Sequence, residues 1–139
     1  MKLVPFLNFG GNCAEAFEFY AKALNGKVIY SMTYGASPAA GEVPASAHSL
    51  VMFTHLAADG IELMGADDCR GEFTPPNGMR ASLHTEDPAE AERVYAALSE
   101  GGELLMPLTE TFWSQRFAMF SDRFGTPWMV NCAKPMGPS

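Results

Sequence analysis

The sequence predicts an α+β protein made of two βαβββ modules in one domain, and three observations carry that reading. The segment Ala14–Gly26 aligns with Ala89–Gly101, 75 residues on, with Ala, Glu, Ala, Tyr, Ala and Gly identical in place. Each copy opens on a polar cap with glutamate at the third helical position, Asn12 with Glu15 and Asp87 with Glu90. Each is preceded by one strand-like run and followed by three. A repeat of this kind is the signature of a duplicated structural unit.

Taken in order, Lys2–Phe9 is apolar, bounded by Gly10-Gly11, and reads as a strand. The first helix buries a stripe of Phe17, Tyr20, Ala21 and Leu24, spaced i, i+3, i+4, i+7, and stops at Asn25-Gly26. Lys27–Tyr34 reads as a strand, and Gly35–Ser46, rich in Pro, Gly and Ala, as a mobile loop. His48–Leu56 and Gly60–Gly65 form a hairpin about Ala57-Ala58-Asp59-Gly60. In the second copy Met79–Thr85 is a strand, and Asp87-Pro88 starts a helix with a cap and a proline at its first position. Its stripe is Ala91, Val94, Tyr95 and Leu98, and Gly101-Gly102 ends it. Glu103–Leu108, Arg116–Ser121 and Pro127–Cys132 are the last three strands. These limits give one domain over 1–139: a first module over about 1–66, a linker over about 67–77, a second module over about 78–133, and a loose tail over 134–139.

The composition, 47% hydrophobic and 18% charged, is that of a globular chain long enough for a real core. A net charge of −7 argues against nucleic acid or an anionic membrane as partner. No run approaches the ~20 apolar residues of a spanning helix. The N-terminal segment reads as a strand rather than a signal peptide. Three cysteines, Cys13, Cys69 and Cys132, without CxxC spacing fit a reduced, cytoplasmic protein.

The segments Pro5-Phe6-Leu7-Asn8-Phe9, Asn12–Phe17, Leu63-Met64-Gly65, Glu110–Trp113, Arg116-Phe117, Asp122–Gly125, Pro127-Trp128 and Asn131 together resemble the PhnB-like branch of the vicinal oxygen chelate superfamily, which holds glyoxalase I, bleomycin-resistance proteins and extradiol dioxygenases. The resemblance implies sheets that curve into a cup with helices outside, and a homodimer. It also implies a cup that in many members holds one divalent metal gripping two neighbouring substrate oxygens. Some members carry the label of demethylubiquinone methyltransferase. Nothing in this chain resembles an adenosyl-methionine fingerprint, and its glycine pairs lack GxGxxG spacing.

Carried over by motif, the metal-ligand positions fall on Pro5, Glu62, Arg80 and Met129. Proline has no side-chain donor, arginine stays protonated, and a thioether suits hard divalent ions poorly. Only Glu62 is a usual ligand, and Phe53 stands where many relatives carry histidine. No cofactor is therefore expected. A metal, if present, would use Glu62 with His55 or His84. Strand alternation puts Phe53 and His55 on one face of their strand, and Arg80, Ser82 and His84 on one face of theirs. Glu62 and Arg80 are the catalytic candidates, expected as an ion pair or as Arg80 facing a bound anion. Phe53, His55, Glu62, Arg80, His84, Trp113 and Met129 are the candidate ligand-binding residues. Phe112 and Trp113 in a polar loop suggest a lid, a dimer contact or the cover of one edge of the core, and the nine methionines adaptable packing or a permissive pocket. The expected partners are a small-molecule ligand and a second copy of the chain. Two functions compete: metal-free binding of a small molecule, and metal-dependent lyase, isomerase or dioxygenase chemistry on an oxygenated metabolite.

Overall fold

The computed structural model describes residues 1–135, so residues 136–139 of the expected tail lie outside the described residues. The chain divides into two compact units, Met1–Pro75 and from Pro76 onward, each a βαβββ module. The first holds β1 (Phe6–Phe9), α1 (Cys13–Ala23), β2 (Lys27–Thr33), β3 (Val51–Ala58) and β4 (Ile61–Asp67). The second holds β5 (Ala81–Thr85), α2 (Pro88–Ser99), β6 (Glu103–Thr109), β7 (Ser114–Ser121) and β8 (Pro127–Ala133). The two sheets have the same topology, β1-β4-β3-β2 and β5-β8-β7-β6, with the first and last strands of each module parallel and the rest antiparallel. The doubled α+β architecture follows the repeat.

The first strand of each module is shorter than its apolar run suggested. Lys2 to Pro5 and Met79-Arg80 precede the ladders. The segment 35–46, expected as a mobile loop, contains the 3-10 turns Ala40–Glu42 and Ala45–Ala47, and His48 Nε2 lies 2.8 Å from the carbonyl of Ala40.

In each module one sheet face packs on the helix. Phe9, Leu56 and Leu63 meet Ala16, Phe17, Tyr20 and Ala23 in the first core; Trp128, Val130, Phe120 and Ala118 meet Ala91, Val94 and Leu98 in the second. Trp128 is thus core, as its alternation with Met129 suggested, and Cys13 and Cys132 are fully buried. The helix ends behave as expected: Asn25 takes a left-handed φ of 53° after α1, and Gly101 follows α2 at φ 75°. The outer strands β2 and β6 carry bulges at matching places, around Ile29 and Leu105.

One expectation at a helix start is corrected. Asn12 occupies the cap of α1 but makes no side-chain cap bond, so the box with Glu15 does not form. Asp67, at the end of β4, accepts from Gly11 N at 2.9 Å and Cys13 N at 3.0 Å through Oδ1, and from Val51 N at 2.9 Å through Oδ2. A buried carboxylate satisfies orphan N–H groups and complements the helix dipole better than a neutral amide would. In α2 the cap is local: Asp87 Oδ1 accepts from Ala89 N at 2.9 Å.

Candidate functional site

In the first module the candidates lie on the sheet face away from α1. Register sets Tyr30, His55, Met64 and Phe6 side by side across β2, β3, β4 and β1. Phe53 lies two residues along β3 from His55, and its ring sits 6.5 Å from Phe6 and 5.8 Å from Tyr30, forming a half-exposed aromatic shelf. Beside the shelf is a polar group of three. His55 Nε2 lies 3.0 Å from Glu62 Oε1, and Lys2 Nζ lies 2.6 Å from Glu62 Oε2. Hydrogen bonds from Lys2 and then His55 hold the Glu62 carboxyl below the usual carboxylate range.

In the second module Arg80 directs Nη1 at the carbonyl oxygens of Phe120 (3.1 Å) and Trp128 (3.4 Å). Arg80, expected to pair with Glu62 or to face a bound anion, has these two carbonyls as hydrogen-bond partners within its own module. On the face away from α2, register aligns Ser82, Met129, Met119 and Met106 in one row and His84, Asn131, Phe117 and Thr109 in the next. Ser82 Oγ lies 2.8 Å from His84 Nε2, and Asn131 Nδ2 lies 3.2 Å from His84 Nδ1. Trp113 stacks edge-on against Phe117 at 5.4 Å, and Phe112 against Trp113 at 4.6 Å, with Phe112 88% exposed.

The structure therefore brings Phe53, His55 and Glu62 together in one module, and His84 and Met129 together in the other. Sequence reasoning missed their neighbours. Pairing Phe6 with Met64 and Ser82 with Met129 makes Met64, not Glu62, the internal counterpart of Met129. Aligning the strands of the repeat rather than its helices would have shown this. Sequence reasoning also missed a cleft of about 450 Å³ lined by Tyr34, Glu42, Pro44, Cys69, Arg70 and Glu72, which none of the candidates lines.

The metal chemistry of the superfamily can be tested against these donors. Glu62 and His55 offer two ligands, and among the described residues no three His, Cys, Asp or Glu side chains gather as a metal site would require. Of the four carried-over ligand positions only Glu62 bears a usual donor for a divalent ion; Pro5, Arg80 and Met129 do not.

Comparison with known proteins agrees with this architecture. The 3-demethylubiquinone-9 3-methyltransferase family matches residues 1–131. Protein YjdN of Escherichia coli is 30% identical over 96% of this chain and 97% of its own. Protein PA1353 of Pseudomonas aeruginosa superimposes with a TM-score of 0.88 at 40% identity, over 96% of this chain and 98% of that one. A PhnB protein from Bacillus cereus, a putative 3-demethylubiquinone-9 3-methyltransferase, gives 0.77 at 24% identity, over 94% and 98%. The fold alone is shared with a glyoxylase/bleomycin resistance protein/dioxygenase domain from Frankia, at a TM-score of 0.70 and 12% identity over 97% and 93%. With a family match along nearly the whole chain and the doubled βαβββ fold beneath it, this chain belongs to the 3-demethylubiquinone-9 3-methyltransferase family.

Proposed function

We propose that this protein binds a small aromatic or oxygenated molecule on the sheet faces away from its helices, without the four-ligand divalent ion of the superfamily's metalloenzymes. The observation that carries the reading is the shelf of Phe6, Phe53 and Tyr30 beside the Lys2–Glu62–His55 group. Half-exposed rings next to a few fixed polar groups are what a small-ligand site needs: apolar area for affinity, and a carboxylate and an imidazole for orientation. The methionine row of the second module is, taken by itself, a soft surface of the kind that adapts to different ring shapes. The methyl transfer in the family's description draws no support from the glycine pairs, which lack a nucleotide-type spacing.

Among the described residues no helix is long and apolar enough to cross a membrane. Three free cysteines suit a reducing compartment such as the cytoplasm. Exposed Val28 and Ile29 on β2, and Leu104 and Leu105 on β6, favour a homodimer. Light scattering should then give twice the 15.0 kDa of one chain.

The test of binding is a thermal-shift screen of the whole chain against aromatic metabolites and antibiotics, with and without divalent ions. A metal-independent rise in Tm that is lost in Phe53→Ala is expected. Elemental analysis giving about one equivalent of metal per chain, lost in Glu62→Ala, would replace this reading with the metal-dependent one, for which the 3.0 Å approach of His55 to Glu62 supplies the first two ligands.

A further inference from the structure

The hydrogen bonds that link β5 to β8 in the second module have a direction, and the direction matters. Ser82 and His84 stand two residues apart on one face of β5, both exposed, and Asn131 is the register partner of His84 on β8. With Asn131 Nδ2 turned to His84 Nδ1, the amide oxygen Oδ1 is buried and has no hydrogen-bond partner. Amide oxygen and nitrogen fill nearly the same volume, so the orientation is decided by the bonds each one makes. Turned over, the amide places Oδ1 against Nδ1 of His84. Its Nδ2 then takes the buried place that Oδ1 holds in the other orientation. That orientation gives Oδ1 the imidazole N–H as its donor, with the ring proton on Nδ1. Nε2 then carries the lone pair, and at 2.8 Å it accepts the hydroxyl proton of Ser82.

We infer that Ser82, His84 and Asn131 form a nucleophile, a base and an orienting amide that accept acyl groups from small activated esters and pass them to water. These are the roles by which such a constellation is recognised, independent of fold and chain order. This inference does not depend on the binding reading above. In the first step Ser82 Oγ bonds to the acyl carbon while its proton moves to His84 Nε2. The bond from that carbon to the leaving oxygen breaks, and the alcohol departs with the proton from Nε2. In the second step water adds to the acyl carbon and gives its proton to Nε2. The ester bond to Ser82 then breaks, and the proton returns to Oγ. The net change is ester plus water to acid plus alcohol. Base assistance of this kind accelerates attack by about 10²–10⁴-fold.

The experiment uses the full chain with p-nitrophenyl acetate, following p-nitrophenolate release and mapping the acetyl group by peptide mass. Acetylation of Ser82 is expected, with release at least about 10²-fold faster than in Ser82→Ala or His84→Gln. Asn131 is a positioning residue. Asn131→Asp, which can only accept from Nδ1–H, should keep labelling, and Asn131→Leu should slow it at unchanged Tm. Both Ser82 and His84 are exposed, so their variants are expected to fold, and circular dichroism checks this. Equal rates in the parent chain and Ser82→Ala, or acetyl groups found only on lysines, would overturn the inference. A thermal-shift hit that survives Ser82→Ala would leave the binding reading standing on its own.

Discussion

In the first module the helix N-terminus is closed by a carboxylate 54 residues away in sequence; in the second it is closed by the residue beside it. Each module nonetheless holds one deeply buried aspartate, Asp67 and Asp122, both 3% exposed. They sit at opposite ends of the same repeated strand. Asp67 ends β4 and gathers Gly11, Cys13 and Val51. Asp122 precedes β8 and accepts from Phe124 N, Thr126 N and Trp128 Nε1. The position of Asp67 is taken in the second module by Cys132, which is free to be apolar because Asp87 already caps α2. Duplicated folds keep the need for buried N–H groups to be satisfied, and leave open which residue satisfies them.

The same exchange appears in packing. Phe17 of α1 lies so close over Gly65 that a Cβ there would meet its ring at 2.6 Å and the Leu7 carbonyl at 2.9 Å. At the corresponding places the second module has the exposed Glu92 on the helix and the buried Val130 on the sheet. Bulk sits on the helix in one module and on the sheet in the other, filling the same layer.

The largest expected effect tests the caps. Asp67→Ala strands three N–H groups, at least partly buried, and should cost about 3–5 kcal/mol, against about 1 kcal/mol for Asp87→Ala at an exposed helix start. Urea denaturation measures both, and equal losses would break the contrast between remote and local capping. Next, Gly65→Ala should cost about 1–3 kcal/mol by overpacking, with Phe17→Leu recovering part of it, since the clash with the Leu7 carbonyl remains. A neutral Gly65→Ala would mean the layer is not tightly filled.

Two smaller effects concern titration. Burial, and then the charge of Asp67, pushes the Cys13 thiol from 9.0 up to about 12. Burial, and then a hydrogen bond with Cys69, pushes Tyr34 from 10.0 up to about 12. Both raised values favour the protonated form in the folded chain, so their contribution is complete below the unfolded values and is lost as pH climbs from about 9 to about 12. Alkaline unfolding followed by circular dichroism under reducing conditions should be shallower in Cys13→Ala. The smallest effect is at Glu62, whose counterpart in the second module is Pro127. Its depressed pKa adds stability that is present above the unfolded value and lost as pH falls through the folded one. Lys2→Met should raise the Glu62 pKa towards the ordinary carboxylate value, and His55→Gln should raise it less, both read by NMR titration of the side-chain carboxyl.

Much of the architecture was legible because it is written in local terms. Helical stripes, the Asp87-Pro88 start and the Asn25 and Gly101 stops each depend on a few neighbouring residues. The candidate site was legible only in part. Alternation placed His55 with Phe53 and Ser82 with His84, because side-chain direction along a strand has a fixed period of two. It could not say which residues on adjacent strands face each other. Met64 and Asn131 were therefore missed, as were the Phe120 and Trp128 carbonyls that accept from the Arg80 guanidinium.

By itself, then, the sequence determined the repeat, the order of elements in each module and the face each strand residue takes, since all of these follow from short-range periodicity and chain stereochemistry. Only the tertiary structure decided that Asp67 rather than Asn12 caps α1, that Glu62 answers to Lys2 and His55, and that Ser82, His84 and Asn131 join in one chain of hydrogen bonds. Each of these is a choice among competing partners far apart in sequence. That choice is made when burial removes water and leaves every N–H and carboxylate to find the nearest group that satisfies it.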